Sequence, residues 1–191
     1  MERQLQIESW LHQLHPGRDF SLAPASADAS FRRYFRASFA DGETLIVMDA
    51  PPSHEDCRPW LHVKQLFETA GAHVPHVLAQ DLDRGFLLLS DLGRITYLAA
   101  LTANRDPAHA RRLYEDAIDA LVRIQAASKP GVLPEYDRAL LHRELMLFPD
   151  WYVARHLGVT LSEAQRAVID HAFERTLAAN LAEPRVFVHR E

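Results

Sequence analysis

The sequence predicts an α+β fold: a small antiparallel β-sheet lobe with one helix laid on it, then a mainly helical, incomplete lobe. Three observations predict it. An aromatic-rich run, Phe31 to Phe39, and a β-branched run, Glu43 to Asp49, flank Asp41-Gly42, a dipeptide that readily takes the positive backbone angles of a tight hairpin. The stretch Gly85-Phe-Leu-Leu-Leu-Ser-Asp-Leu-Gly93 reads as a short buried strand that stops abruptly. Beyond it the signals are helical, beginning with a short segment around Tyr97 to Leu101 and followed by Asp106-Pro107, a strong N-terminal start. The chain is therefore expected to divide at this stretch into an N-terminal lobe, residues 1–90, and a helical lobe, residues 91–191. A ligand cleft is expected where the two meet, with the backbone of Ser90 to Leu92 facing it.

The elements follow in order. Ile7, Trp10, Leu11 and Leu14 share one face of an opening helix that Pro16-Gly17 ends. A short strand around Phe20 to Leu22 precedes Ala23 to Ser30, a run of small and turn-forming residues that reads as a close-approach loop. The hairpin comes next and stops at Pro51-Pro52. A helix then places Trp60, Val63, Phe67 and Ala70 on one face, with Gly71 as its C-terminal stop. Val74 to Gln80 and Phe86 to Leu89 give two further strands. In the second half, Ala110, Leu113, Tyr114, Ala117, Leu121 and Ile124 mark one apolar stripe. A segment over 137–157, interrupted near Pro149, ends at Gly158. Ser162 and Gln165 form a capping box, and Val168, Ile169, Ala172, Phe173, Thr176 and Leu177 mark a buried face. Arg185 to Val188 starts a strand.

Composition narrows the class. With 191 residues and 48% hydrophobic content the chain can bury a core. Its 21 basic and 26 acidic residues give a net charge of -5, which offers no electrostatic reason to expect nucleic acid or an anionic membrane as partner. One cysteine, Cys57, excludes an internal disulfide and suits a reducing cytoplasm, and no apolar run approaches the length of a membrane span. Among the 11 histidines, His73 and His76 flank Pro75 in a loop, which breaks the helical face that a paired-imidazole metal site would use.

The order of elements, with five phrases in it, resembles the aminoglycoside phosphotransferase and choline kinase-like superfamily, whose fold is protein kinase-like. The phrases are Asp28-Ala-Ser-Phe-Arg-Arg-Tyr-Phe-Arg36, Val47-Met-Asp-Ala-Pro-Pro52, Gly71-Ala-His-Val-Pro75, Gly85 to Gly93, and Arg143-Glu-Leu-Met-Leu-Phe-Pro-Asp-Trp151. They look closest to the bacterial anomeric kinases of N-acetylmuramate and N-acetylglucosamine. The resemblance implies ATP- and Mg2+-dependent phosphoryl transfer to an amino sugar in cell-wall recycling, chemistry in which the protein mostly positions reactants and stabilises charge. It implies a turn over the nucleotide phosphates formed by Asp28, Ala29, Ser30, Arg32 and Arg33, and an adenine edge held by the main chain of Ser90, Asp91 and Leu92. Glu144, Phe148 and Trp151 would lie near the sugar, and His189, Arg190 and Glu191 at the catalytic loop.

Several positions depart from the pattern. No G-x-G-x-x-G precedes the hairpin, Met48 stands where kinases carry a phosphate-binding lysine, and Trp60 stands near the place of its glutamate partner. Where relatives carry His-x-Asp, this chain has His189-Arg190-Glu191 and ends, so the metal ligands are expected beyond residue 191 and the chain alone is expected to be a poor catalyst. Alternative readings are a kinase for an aminoglycoside, choline or an amino acid, and a non-catalytic nucleotide-binding module. A nucleic-acid binder using Phe31 to Arg36 is disfavoured by the acidic balance.

Overall fold

The computed structural model describes residues 2–27 and 30–188. By compactness the chain forms two units, Met1–Ile124 and Gln125–Glu191. The sheet, α3 (Tyr97–Ala103) and all but the last two residues of α4 (Pro107–Ala126) thus share the first unit, whereas the sequence reading closes its first lobe at residue 90.

In the first unit five antiparallel strands run in the order β1-β2-β3-β5-β4: β1 (Phe20–Ala27), β2 (Arg33–Phe39), β3 (Thr44–Asp49), β4 (Val77–Asp81) and β5 (Phe86–Ser90). The hairpin turns where expected, with Gly42 at φ 90°. Strand alternation sorts the side chains to two faces. Phe35, Ala37, Phe39, Leu45, Val47, Phe86 and Leu88 meet Ile7, Trp10 and Leu11 of α1 (Glu2–Leu14). Tyr34, Ile46, Met48, Leu87 and Leu89 meet Cys57, Trp60 and Leu61 of α2 (Cys57–Thr69), whose first turn is capped by the Asp56 carboxylate accepting from the Arg58 N–H. Helices cover both faces, which is why Phe86 to Leu89 are all buried without alternation. The sequence reading laid one helix on the sheet and left the opening helix unplaced; α1 fills the second face.

Two expectations about strands need correction. β1 does not give way to a loop at Ala23 but stays paired through Ala27, opposite Arg33. Pro24 is accommodated because β1 is an edge strand with a register shift between Pro24 and Ser26, where a missing N–H leaves no ladder bond unmade. Conversely, residues 184–188 form no strand. No neighbouring strand is available to them within the second unit among the described residues. Their anchors are the Phe187 N–H on Ser128 Oγ at 2.7 Å and an Arg185–Glu135 ion pair.

One carboxylate ties the first unit together. Asp49 is fully buried and receives Arg3 of α1, through Nε at 2.8 Å, and Arg33 of β2, through Nε at 3.0 Å. Arg3 also donates to the Arg84 carbonyl at 2.7 Å, beside the turn between β4 and β5. That turn brings two stretches of backbone into close approach. Gly85 has φ +72°, its carbonyl accepts from the Ala50 N–H at 2.8 Å, and a Cβ there would sit 1.9 Å from the Ala50 oxygen.

The second unit holds α5 (Arg138–Leu145), a π-helix (Phe148–His156) and α6 (Glu163–Ala182). Asp137 caps α5 through Leu140 N–H at 2.9 Å, and the Ser162–Gln165 capping box forms at α6. The break before Pro149 is present, but the segment after it is π-helical, not α-helical. The apolar stripes are narrower than the sequence suggests. On α6 only Leu177 is fully buried and Val168 is 70% exposed; on α4 only Ile124 is buried.

Gly85→Ala should destabilise the protein by about 2–5 kcal/mol, since the new methyl meets both backbone strain and a carbonyl. A chemical-denaturation midpoint that does not move would overturn this reading. Asp49→Asn should lower stability by about 2–4 kcal/mol, toward the lower part of the usual range for a broken buried pair because both arginines reach solvent. Urea unfolding measures it.

Candidate functional site

A cavity of about 770 Å³ opens on the α2 side of the sheet. Its apolar wall comes from Tyr34 of β2, Ile46 of β3, Leu89 of β5 and Trp60 of α2, with Pro24 and Ala25 of the edge strand above. Its polar edge is the segment from Ser90 to Thr96, which leaves the sheet at the end of β5. A mostly apolar cleft with a few convergent polar groups along one rim is the usual form of a small-molecule site.

That rim is fixed at two points. At the first, the Ser90 N–H donates to the His76 carbonyl and the His76 N–H donates to Ser90 Oγ, both at 2.9 Å. At the second, Asp91 Oδ2 accepts from Arg36 Nε at 2.6 Å, and Oδ1 accepts from Arg36 Nη2 at 3.1 Å and from the Gly93 N–H at 2.9 Å. Arg36 Nη2 also donates to the Gly93 carbonyl at 2.9 Å. The pair is nearly dry, with side-chain exposures of 11% and 6%. The Arg36 guanidinium holds the Asp91 carboxyl well below the usual carboxylate range; burial opposes this, and the Gly93 N–H and the Thr44 hydroxyl add to it.

The residues expected in the nucleotide site separate by face. Ser90, Asp91 and Leu92 line the cavity together. Arg33 lies on the α1 face with its guanidinium on Asp49, because an odd spacing along a strand puts it opposite Tyr34 and Arg36. Ser30 and Arg32 form a local turn in which Ser30 Oγ accepts from the Arg32 N–H at 3.2 Å and from its Nε at 2.9 Å. Asp28, Ala29, His189, Arg190 and Glu191 lie outside the described residues. In the second unit Glu144 accepts from the Tyr136 hydroxyl. Phe148 and Trp151 are about half exposed on the π-helix. Phe148 stacks on Tyr152 at 5.7 Å, and the Arg155 guanidinium covers one face of Trp151 at 4.1 Å.

Sequence reasoning overlooked Arg36, Tyr34 and Ile46. Period-two alternation was the available signal: 34 and 36 share a face with Leu87 and Leu89, and 33 does not. Met48 of β3 is buried in the apolar cluster between the sheet and α2, and Trp60 of α2 packs against that cluster and lines the cavity.

A model of the phosphotransferase enzyme family, APH, matches residues 21–191. The chain belongs to that family. Among curated members, N-acetylmuramate/N-acetylglucosamine kinase of Pseudomonas aeruginosa is 55% identical over 89% of this chain and 49% of its own length. The like-named protein of Neisseria meningitidis is 45% identical over 100% of this chain and 57% of its own. That of Pseudomonas putida is 49% identical over 90% and 49%. This phosphotransferase-family chain therefore spans about half the length of the curated relatives it matches.

Family membership implies ATP and usually Mg2+. Among the described residues no three His, Cys, Asp or Glu side chains come together. No helix among them is long and apolar enough to cross a membrane.

The depressed Asp91 value has a definite pH signature. A lowered folded-state value means that the pair's contribution is fully present above the unfolded carboxylate range, near pH 4, and is lost as pH falls below it toward the folded value. Asp91→Asn should therefore melt about 3–8 °C below the unaltered protein at pH 7, and the gap should shrink as pH drops below about 4. Thermal melts across pH test this; a gap that persists unchanged at pH 2.5 would overturn it.

Proposed function

We propose that this chain supplies the nucleotide-binding part of an ATP-dependent small-molecule kinase whose acceptor is N-acetylmuramate or N-acetylglucosamine, acting in cell-wall recycling. The observation that carries the reading is the cavity itself: an apolar slot between the edge hairpin and α2, rimmed by main chain at Ser90 to Gly93. Such a slot accepts a flat purine, and the main-chain groups of the rim can pair with its edge. The names and identities of the curated relatives support the choice of acceptor.

In this reading residues 1–90 form the nucleotide-binding lobe and residues 91–191 the helical lobe. Ser90, Asp91 and Leu92 hold the adenine. The turn over the phosphates runs from Asp28 to Arg32, Arg33 being committed to Asp49. Glu144 accepts hydroxyl hydrogens of the sugar, and Phe148 and Trp151 offer aromatic faces to its apolar side. As the γ-phosphoryl group moves, its bond to ADP breaks and a bond to the anomeric oxygen forms. The hydroxyl proton passes to a carboxylate, which by position is Glu191. The protein's share of that reaction is alignment and charge stabilisation.

The test has two arms. Titration of the chain with ATP, followed by tryptophan fluorescence, should saturate, since Trp60 lines the slot. ADP release should then be measured with N-acetylmuramate, N-acetylglucosamine and an aminoglycoside, for this chain and for a version extended to the relatives' length. Turnover confined to the aminoglycoside would remove the amino-sugar acceptor; failure of ATP to bind would remove the kinase reading.

A further inference from the structure

The rim of the cavity is held by a side chain that the expected site does not contain. Arg36 projects from β2 across Ile46 of β3 and reaches the segment that follows β5. There it bonds to both oxygens of Asp91 and to the carbonyl of Gly93, while Asp91 in turn accepts the Gly93 N–H. One guanidinium thus fixes residues 91 and 93 at once, and Leu92 is the residue between them. Leu92 lines the cavity and is 53% exposed. Ser90, on the other side, is already pinned by its reciprocal bonds with His76.

Stability alone is a poor account of this arrangement. A nearly dry ion pair recovers little more than its desolvation cost, and apolar side chains of similar volume would serve as well. Fork geometry, in contrast, excels at setting orientation, because two parallel N–H bonds leave the carboxylate no freedom to turn. Lysine cannot reproduce this, having one charged point and no plane.

We propose that Arg36 is a nucleotide-positioning residue, which by clamping Asp91 and Gly93 holds the main chain of Leu92 in the single conformation that meets the base. The inference rests on the kinase reading of this cavity and extends it to a residue that makes its contribution through the rim. It also assigns the Asp91 side chain a part separate from that of its main chain: the carboxylate serves Arg36 and Gly93, and base recognition falls to backbone groups. A guanidinium and a backbone carbonyl complete the clamp, so an isosteric Asp91→Asn change weakens it from the other end.

The experiment compares the unaltered 191-residue chain with Arg36→Lys, Arg36→Met and Asp91→Asn. Calorimetric ATP titration gives the Kd, amide hydrogen exchange gives the ordering of Leu92 and Gly93, and a thermal melt confirms that each variant is folded. Arg36→Lys should weaken ATP binding about tenfold while it remains folded, and exchange at Leu92 and Gly93 should quicken with no nucleotide present. Arg36→Met should weaken binding further, and Asp91→Asn should resemble Arg36→Lys. A folded Arg36→Lys variant that binds ATP as tightly as the unaltered chain overturns the inference and leaves the kinase reading standing. No saturable ATP binding by the unaltered chain overturns that reading and this inference with it. A purely architectural Arg36 would lower the melting temperature without moving the Kd of the folded fraction.

Discussion

The first unit is built around a single buried carboxylate. Asp49 closes β3 inside the protein, where an isolated charge would be very costly, and the two arginines that neutralise it come from different parts of the chain. Arg33 arrives from the adjacent strand in register, and Arg3 from the first turn of α1. Because Arg3 also holds the Arg84 carbonyl and lies 4.9 Å from the centre of the Phe86 ring, the same group fixes the opening helix against the far end of the sheet. The close contact between Gly85 and Ala50 follows from this, since the strand end and the turn are drawn to the same place.

β2 carries two arginines three residues apart, and strand geometry sends them to opposite faces. Arg33 serves the α1 face and has an architectural partner. Arg36 serves the α2 face and reaches the rim of the cavity. The two pairs resemble each other in chemistry, each a guanidinium against a carboxylate, yet one lies at a helix–sheet junction and the other borders the space where a ligand fits. A sheet covered by helices on both sides is what allows one strand to do both.

Much of this was legible in the sequence, and the parts that were not have specific reasons. The Asp41-Gly42 turn, the strand from Phe86, the Gly71 stop and the Ser162–Gln165 cap are local signals, and they form where the residues predict. β1 was harder because Pro24 and the small residues around it favour loops, and only edge position with a register shift reconciles them with pairing. The end of the described chain failed in the opposite way: Val186 to Val188 have the composition of a strand, but among the described residues the second unit holds no strand for them to pair with. Periodicity identified the apolar stripes of α4 and α6 but not how much of each is covered, since coverage depends on neighbours that one helix does not encode. At the site, the adjacent arginines 32 and 33 drew attention as anion ligands, whereas Arg36 required counting faces. The rim at Ser90 to Leu92 was found because an abrupt stop after a buried strand is itself a local feature.

Cys57 opens α2 with its thiol buried, and burial, aided by the neighbouring Asp56 and Glu55 carboxylates, pushes the thiol up from its ordinary value. A sulfhydryl that stays protonated and enclosed reacts slowly with electrophiles until the helix start peels away from the sheet. Since the chain has no other cysteine, its alkylation rate would register that one excursion alone, a spectator's record of how often the wall of the cavity detaches.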